Sequence, residues 1–159
     1  MRNGVYHYKE SGLDNVILVG GFEYIDSPGG KTIVIHDIDG LQRVIGKALV
    51  GKRQRLTGKE FRFLRSELLL SQSNLASMLG VKELTVGRWE RGESEIPLSA
   101  EAAVRMMYAQ MTEGEHGPRM TELLKQIDDL DDELDRMLKL NKGKGNKGKW
   151  RVIPDAKAA

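Results

Sequence analysis

The chain contains no cysteine, so neither disulfide bonds nor thiolate metal ligands are available to it. No run of apolar residues approaches the roughly 18 to 20 that a membrane-spanning helix needs. The first residues, MRNGVYHYKESG, lack the apolar stretch of a secretory signal. We therefore expect a cytoplasmic protein that does not contact a membrane.

A large charge of one sign is also missing, because the formal net charge is only +2. The charges are nevertheless distributed unevenly along the sequence. Basic residues dominate positions 51–70 and 141–159, whereas acidic residues dominate positions 113–140. The alternation indicates separate segments with separate partners, although each charged run is also compatible with an ordinary solvated face.

Patterns that carry catalysis or bind metals are hard to find in this sequence. No Ser/His/Asp arrangement is evident, and the glycine pairs at 20–21 and 29–30 match neither dinucleotide-binding nor P-loop spacing. His7 and His36 without thiolates make a poor tetrahedral zinc set, so we interpret both as surface or packing residues. We predict no catalytic residues, no metal and no cofactor, and thus not an enzyme.

The first part of the chain, residues 1–52, predicts a small β-rich module followed by a helix. Two short apolar runs at 16–19 and 22–25 flank Gly20 and Gly21, which is a hairpin signal. Ser27-Pro-Gly-Gly then turns the chain into a third strand at 32–35. An apolar stripe at three- and four-residue spacing predicts a helix after these strands, formed by Leu41, Val44, Ile45, Ala48 and Leu49.

Residues 53–112 predict a bundle of short helices. Thr57-Gly-Lys-Glu60 is a capping box that begins the first helix, with Phe61, Leu64 and Leu68 as its buried stripe. Ser71 caps the second helix, and Gly80 ends it. A third helix is expected over about 83–91, where Gly92 stops it, and a fourth over 98–111, with an apolar side formed by Ala102, Ala103, Met106 and Met107.

The remaining sequence predicts two further segments. Residues 113–141 suit an amphipathic acidic helix, in which six apolar residues repeat at three and four: Met120, Leu123, Ile127, Leu130, Leu134 and Met137. Either a short coiled coil between chains or a helix that folds back onto its own domain would show this pattern. The Lys/Gly-rich segment 142–159 is expected to be disordered. The predicted fold class is α+β, mainly α.

The stretch from Leu70 to Glu93, LSQSNLASMLGVKELTVGRWERGE, contains two short helices joined at one glycine, which is typical of a helix-turn-helix. Val86 and Trp89 fall on the inward side of the second helix, so we interpret Trp89 as core. Leu84, Gly87, Arg88 and Arg91 fall on its outward side. Because arginine can donate two hydrogen bonds to guanine in the major groove, Arg88 is the leading candidate for reading a base.

The other candidate contacts follow from the same helical wheel. An exposed Leu84 can touch a thymine methyl group, and Glu83 can accept from a cytosine amino group. Gly87 would allow a close approach of backbone to DNA, or else is a tolerated defect. Arg88 could instead form a surface ion pair with Glu95 or with a neighbouring carboxylate. Candidate phosphate contacts lie around the two helix starts and at the end of the second helix: Ser71, Gln72, Lys82, Thr85 and Arg91.

This stretch resembles the helix-turn-helix of the XRE (Cro and phage-repressor-like) family, whose pattern is LSQ-x-x-LA-x-x-LGV-x-x-x-T-(I/V)-x-x-(W/Y)-E-x-G. The resemblance implies a compact five-helix domain over 53–112, a phosphate contact from Gln72, and base contacts from Glu83, Leu84 and Arg88. Lys82 departs from the family, which usually has Ser or Thr as the cap of the recognition helix.

A wider resemblance covers residues 1–112. The order of β-rich module, helix, LTGKEFRFLR and helix-turn-helix is similar to that of MqsA or YgiT-type regulators, many of them antitoxins that repress their own operons as dimers. The cysteine pairs that hold zinc in those relatives are missing here. The resulting expectation is a dimeric, nucleoid-associated transcriptional repressor that binds a palindromic double-stranded DNA operator. The alternative is an antitoxin that covers a toxin protein and also represses its own operon.

Overall fold

A computed structural model describes residues 4–113, 138–143 and 148–153. These residues form a mixed α+β protein with five α-helices and two small sheets. The chain divides into two compact units: residues 1–44 with 135–159, and residues 45–134. We refer to them as the split unit and the helical unit. The division lies inside one helix, whereas the sequence predicted a boundary after residue 52 and a separate tail.

The split unit contains six strands and a single 3₁₀ turn at Lys9–Ser11 among its described residues. Four strands form one sheet in the order β1-β2-β5-β6, and the other two form the hairpin β3-β4. The bounds are β1 Tyr6–His7, β2 Val16–Leu18, β3 Phe22–Ser27, β4 Gly30–Ile35, β5 Leu138–Lys142 and β6 Trp150–Val152. All three residues of β2 are buried, as a central strand requires.

The predicted hairpin at Gly20 and Gly21 is wrong. β2 pairs with β1 on one side and runs parallel to β5 on the other, so it does not pair with β3. Gly21 has a φ of 78°, and a β-carbon there would collide with the indole of Trp150. The glycine is therefore required because a residue far along the chain occupies the space beside it. The second predicted hairpin, β3-β4, is present, with Ser27 opposite Gly30.

The predicted end of the chain also needs correction. Residues 138–142 form β5 rather than the end of a helix, and Trp150–Val152 form β6 within the segment expected to be disordered. Trp150 is buried, and its indole nitrogen donates to the carbonyl oxygens of His36 and Asp37 at 3.0 and 3.1 Å. These bonds and the burial of apolar area stabilise the segment by more than the conformational entropy that it loses on ordering. The prediction of disorder, made from the Lys/Gly composition, gave most weight to that entropy. All six residues of the predicted coiled-coil seam, from Met120 to Met137, lie outside the described residues.

The five helices lie close to their predicted positions: α1 Ile38–Val50, α2 Gly58–Glu67, α3 Gln72–Leu79, α4 Glu83–Glu90 and α5 Leu98–Glu113. The capping box of α2 is confirmed, since Thr57 accepts from the amide of Glu60, and the Glu60 carboxylate accepts from the amide of Thr57. Ser71 caps α3 by accepting from the amide of Asn74 at 3.0 Å. Gly80 ends α3 with a φ of 68°.

The helical unit also contains a buried ionic cluster that sequence reasoning did not predict. Glu101 and Arg105 on α5 are both fully buried, and their side chains meet at 2.7 Å. Glu101 also accepts from the amide of Leu56 at 2.8 Å and from the guanidinium of Arg55 at 2.5 Å. Arg105 donates to four carbonyl oxygens, those of Leu49, Val50, Lys52 and Gln54. Arg105 thereby satisfies carbonyls at the end of α1, which have no partners within the helix itself.

Among the helices in the described ranges, none is both long enough and apolar enough to cross a membrane.

Candidate nucleic-acid interface

The orientation of α4 is set by its buried side. Val86 is fully buried and Trp89 is nearly so, as the helical period predicted. The Trp89 indole meets the ring of Phe61 on α2 edge to face, with the ring centres 6.0 Å apart and the planes at 87°. This arrangement of two aromatic rings is the electrostatically favoured one. Because these residues occupy one side of a helix only two turns long, its opposite side faces away from the core.

Glu90, at the end of α4, connects three helices. Its carboxylate accepts two hydrogen bonds from the guanidinium of Arg65 on α2, at 2.5 and 3.2 Å. The side-chain amide of Gln72, at the start of α3, donates to the same carboxylate at 2.7 Å. Arg65 also donates to the carbonyl oxygen of Leu70, in the turn before α3. Glu90 is buried, so these bonds replace the water that its charge would otherwise require.

Sequence reasoning missed the role of Glu90, although a signal for it was present. Val86, Trp89 and Glu90 are spaced three and four residues apart, so Glu90 shares the buried side of α4. A carboxylate on a buried side needs a cation or several donors nearby. Arg65 lies on the neighbouring helix of a compact bundle and was the natural candidate.

Glu83, Leu84 and Arg88 are the exposed residues of α4. Leu84 is 57% exposed, and Arg88 lies one turn further on. The Arg88 guanidinium has no hydrogen bond or ion pair with any residue in the described ranges, so the alternative pairing with Glu95 is absent there. An apolar side chain and an unpaired guanidinium therefore lie side by side on one exposed surface.

Arg91 is exposed too, but its guanidinium is paired. It donates two hydrogen bonds to the carboxylate of Glu93, at 2.8 and 3.3 Å. The hydrogen bond and the charge of Arg91 lower the pKa of Glu93, and Arg88 adds a smaller effect of the same sign. Because the pair is fully exposed, water screens it and a phosphate can compete for the arginine.

Gly87 is less open than we expected. It is buried, and a β-carbon there would lie 3.0 Å from a guanidinium nitrogen of Arg91 and 3.6 Å from the side-chain oxygen of Gln72. The glycine thus makes room for two neighbouring side chains, and its backbone is not directly accessible to a ligand. This packing is a further reason for glycine at this position, besides the two interpretations that the sequence offered.

The remaining candidates lie around the starts of α3 and α4. Ser71 is exposed and serves as the cap of α3, while Gln72 is half-buried beneath Glu90. Lys82 and Glu83 are exposed, and Thr85 is half-buried. Lys82 occupies the N-cap position of α4 with extended backbone angles and provides no side-chain cap. The start of α4 therefore lacks the bond that Ser71 provides for α3.

His7 and His36, which we interpreted as surface or packing residues, are exposed, and His36 lies 3.3 Å from a carboxylate oxygen of Glu23. In the part of the chain that the structure describes, no group of three or more acidic or histidine side chains is placed to hold a metal ion. No protein-family model, no curated protein and no solved structure matches this chain. The functional assignment therefore depends on the geometry of α3 and α4.

Proposed function

We propose that this protein is a sequence-specific DNA-binding transcriptional regulator that uses α3 and α4 as a helix-turn-helix. The observation that carries the proposal is the exposed guanidinium of Arg88, which has no partner among the described residues. It lies on a helix whose other side is fixed by Val86, Trp89 and Glu90. A major groove admits one α-helix, and a guanidinium held there can donate to both acceptors of a guanine.

The neighbours of Arg88 suit the same ligand. Leu84 provides the apolar group that a thymine methyl contacts. Lys82 and Arg91 are exposed cations on the same helix or at its ends, where phosphates would be expected. Glu83 would be repelled by phosphate, so it suits a position over a base, where it can accept from cytosine. The surface therefore contains both positioning and base-reading groups.

A single unit of this size would contact only a few base pairs, so we propose that the regulator acts as a dimer. A two-fold dimer on a palindromic operator places the two recognition helices one helical turn apart, about 34 Å. Repression by occlusion of a promoter is the simplest outcome of such binding. A toxin-binding role is the alternative, and its main support, the acidic segment 113–140, lies almost entirely outside the described residues.

The experiment begins with selection of binding sites from random DNA by the purified full chain. If a motif is enriched, Arg88→Ala should lose about 1 to 3 kcal/mol of discrimination at one base position, and non-specific binding should remain. Arg88→Lys keeps the charge but not the two parallel donors, so it should lose nearly as much discrimination. Failure to enrich any motif would refute the proposed function.

Two further variants distinguish a base-specific contact from the effect of net charge on DNA affinity. Arg62→Ala removes an exposed arginine of α2 and should leave the preferred motif unchanged. Glu93→Gln releases Arg91 from its partner and should increase affinity for every DNA sequence, with the salt dependence steeper by about one phosphate contact. Equal loss of discrimination in Arg62→Ala and Arg88→Ala would show that only net charge matters.

A further inference from the structure

The β3-β4 hairpin has two outer edges, and neither pairs with a further strand within the described ranges. Its two-residue turn at Pro28 and Gly29 places Ser27 opposite Gly30 as a hydrogen-bonded pair, and such pairs alternate along an antiparallel ladder. The bond from the amide of His36 to the carbonyl of Gly21, at 2.8 Å, continues that series. The β4 residues that lie between these hydrogen-bonded pairs therefore point their backbone N–H and C=O groups outward, away from β3. These residues are Lys31, Ile33 and Ile35.

This outer edge of β4 has no partner among the residues that the structure describes. The sheet that contains the hairpin has only two strands there, and no described residue bonds to the outward groups of β4. A two-stranded ribbon of this kind is only marginally stable in water by itself. Tyr24 and Ile25 are each more than two-fifths exposed on the neighbouring strand, so the ribbon also leaves apolar area uncovered.

The two edges of the ribbon differ in their protection. β3 carries two carboxylates, Glu23 and Asp26, and charged side chains are a common defence of edge strands against pairing. β4 has its single charge, Lys31, next to the turn, and residues 32–35 are Thr-Ile-Val-Ile. β-branched residues of this type favour strand pairing. The outer edge of β4 is thus open to pairing with a further strand, whereas the two carboxylates of β3 disfavour pairing at its outer edge.

We propose that two copies of this chain pair through the outer edges of β4, antiparallel and about a two-fold axis at Ile33. This register places Ile33 opposite the partner's Ile33, Thr32 opposite the partner's Val34, and Lys31 opposite the partner's Ile35. No like charges then face each other. The equivalent pairing of β3 about Tyr24 would bring the carboxylates of both copies onto one narrow ribbon, which is unfavourable.

The choice of a second copy as the occupant rests on the proposed function, because a palindromic operator requires a two-fold dimer. A nucleic acid is a poor occupant, since the ribbon carries two carboxylates and a single lysine. A strand from an unrelated protein would use the same edge, but it would leave this chain monomeric in isolation. The oligomeric state of the pure protein therefore separates the two cases.

The test uses proline at two positions that face each other in one pair of the hairpin. Ile33→Pro removes an outward amide on β4, and Tyr24→Pro removes the matching outward amide on β3. Neither variant deletes a backbone bond inside the hairpin, so both should keep the pairing of β3 with β4. Analytical ultracentrifugation should show a dimer for the native chain and Tyr24→Pro, and a monomer for Ile33→Pro. A native monomer, or a dimeric Ile33→Pro, would overturn the proposal.

If both proline variants are monomeric, cysteine variants can show which edge of the hairpin forms the dimer interface. The native chain has no cysteine, so Ile33→Cys and Tyr24→Cys each introduce a single thiol. In the proposed dimer, two thiols at position 33 would lie on adjacent strands, whereas two at position 24 would be three strand spacings apart, about 14 Å. Only the first distance permits a disulfide. Mild oxidation should cross-link Ile33→Cys alone, and cross-linking of Tyr24→Cys instead would refute the proposal.

The same preparations separate this inference from the proposed function. Arg88→Ala should remain a dimer while losing its preferred DNA motif, because Arg88 belongs to the helical unit and not to the hairpin. A chain that dimerises through β4 but enriches no motif would retain the interface and lose the function. A monomer that still enriches a half-site motif would retain the function and refute the interface.

Discussion

The two units of this protein are built in different ways from one sequence. Between residues 45 and 113 the helical unit is continuous, and its elements follow one another in space, so α3 packs with α4 and α2 with both α4 and α5. The split unit joins the first 44 residues to the last 25 of the chain. Its central strand pair, β2 with β5, links positions more than one hundred residues apart.

This difference shows which part of the structure can be predicted from the sequence, namely the part formed by interactions between residues that are close in the chain. In the helical unit the interactions that begin α2 and α3 span only three residues, in the capping box at Thr57 and the cap at Ser71. In the split unit they span most of the chain, as in the bond from Trp150 to His36. If this view is correct, the two units should also respond differently to mutation.

The largest expected effect is in the helical unit, at the buried cluster around Glu101. Glu101→Ala leaves the guanidinium groups of Arg55 and Arg105 without their shared carboxylate, so we expect a loss of about 3 to 5 kcal/mol in the free energy of unfolding. The chain has one described tryptophan in each unit. Fluorescence of Trp89 in a Trp150→Phe background therefore reports denaturation of the helical unit by urea.

The control for Glu101 is an exposed pair in the same unit. Glu93→Ala removes the partner of Arg91 at the surface and should not shift the midpoint measurably, because water screens both groups. Equal shifts in the two variants would mean that burial does not decide the strength of these pairs. A small shift for Glu101→Ala alone would show that water enters the cluster easily.

A slightly smaller effect is expected in the split unit, at Trp150. Trp150→Ala removes a buried indole together with its two hydrogen bonds, and we expect a loss of about 3 kcal/mol. Hydrogen exchange of the β2 amides should accelerate, while the Trp89 transition of the helical unit should stay unchanged. Val152→Ala alters an exposed residue of the same strand and serves as the control. Unfolding of both units together would refute their independence.

Much of the helical unit could be predicted because its signals are local. The stripe at Leu41, Ile45 and Leu49 predicted α1, and these residues are buried. The buried cluster was missed because Glu101 and Arg105 stand four residues apart, a spacing that usually indicates an ion pair on the surface. Only their position on the core side of α5 distinguishes them, and the predicted apolar side of that helix did not include them.

The split unit could not be predicted in the same manner. The pair Gly20-Gly21 is a sound hairpin signal, yet the indole of Trp150 occupies the space next to Gly21. No local sequence pattern reveals this contact. Likewise, the composition of the Lys/Gly-rich segment 142–159 indicates disorder, although Trp150 within it and Leu140 just before it are buried in strands. For the candidate site, the exposed Arg88 and the core Trp89 were predicted, whereas the covering of Gly87 by its neighbours required three-dimensional packing.

The smallest effect concerns the start of α4, and it tests stability and binding at once. Ser71 and Lys82 both have an extended N-cap backbone, but only Ser71 has a side chain that bonds to its helix. Lys82→Ser should add the missing bond and stabilise the helical unit by about 0.5 to 1 kcal/mol, while Ser71→Ala should destabilise it by a similar amount. Because Lys82 is also a candidate phosphate contact, the stabilised variant should bind DNA more weakly and with a shallower salt dependence. Higher stability with unchanged DNA binding would remove Lys82 from the interface, and unchanged stability would mean that the start of α4 is already satisfied by water.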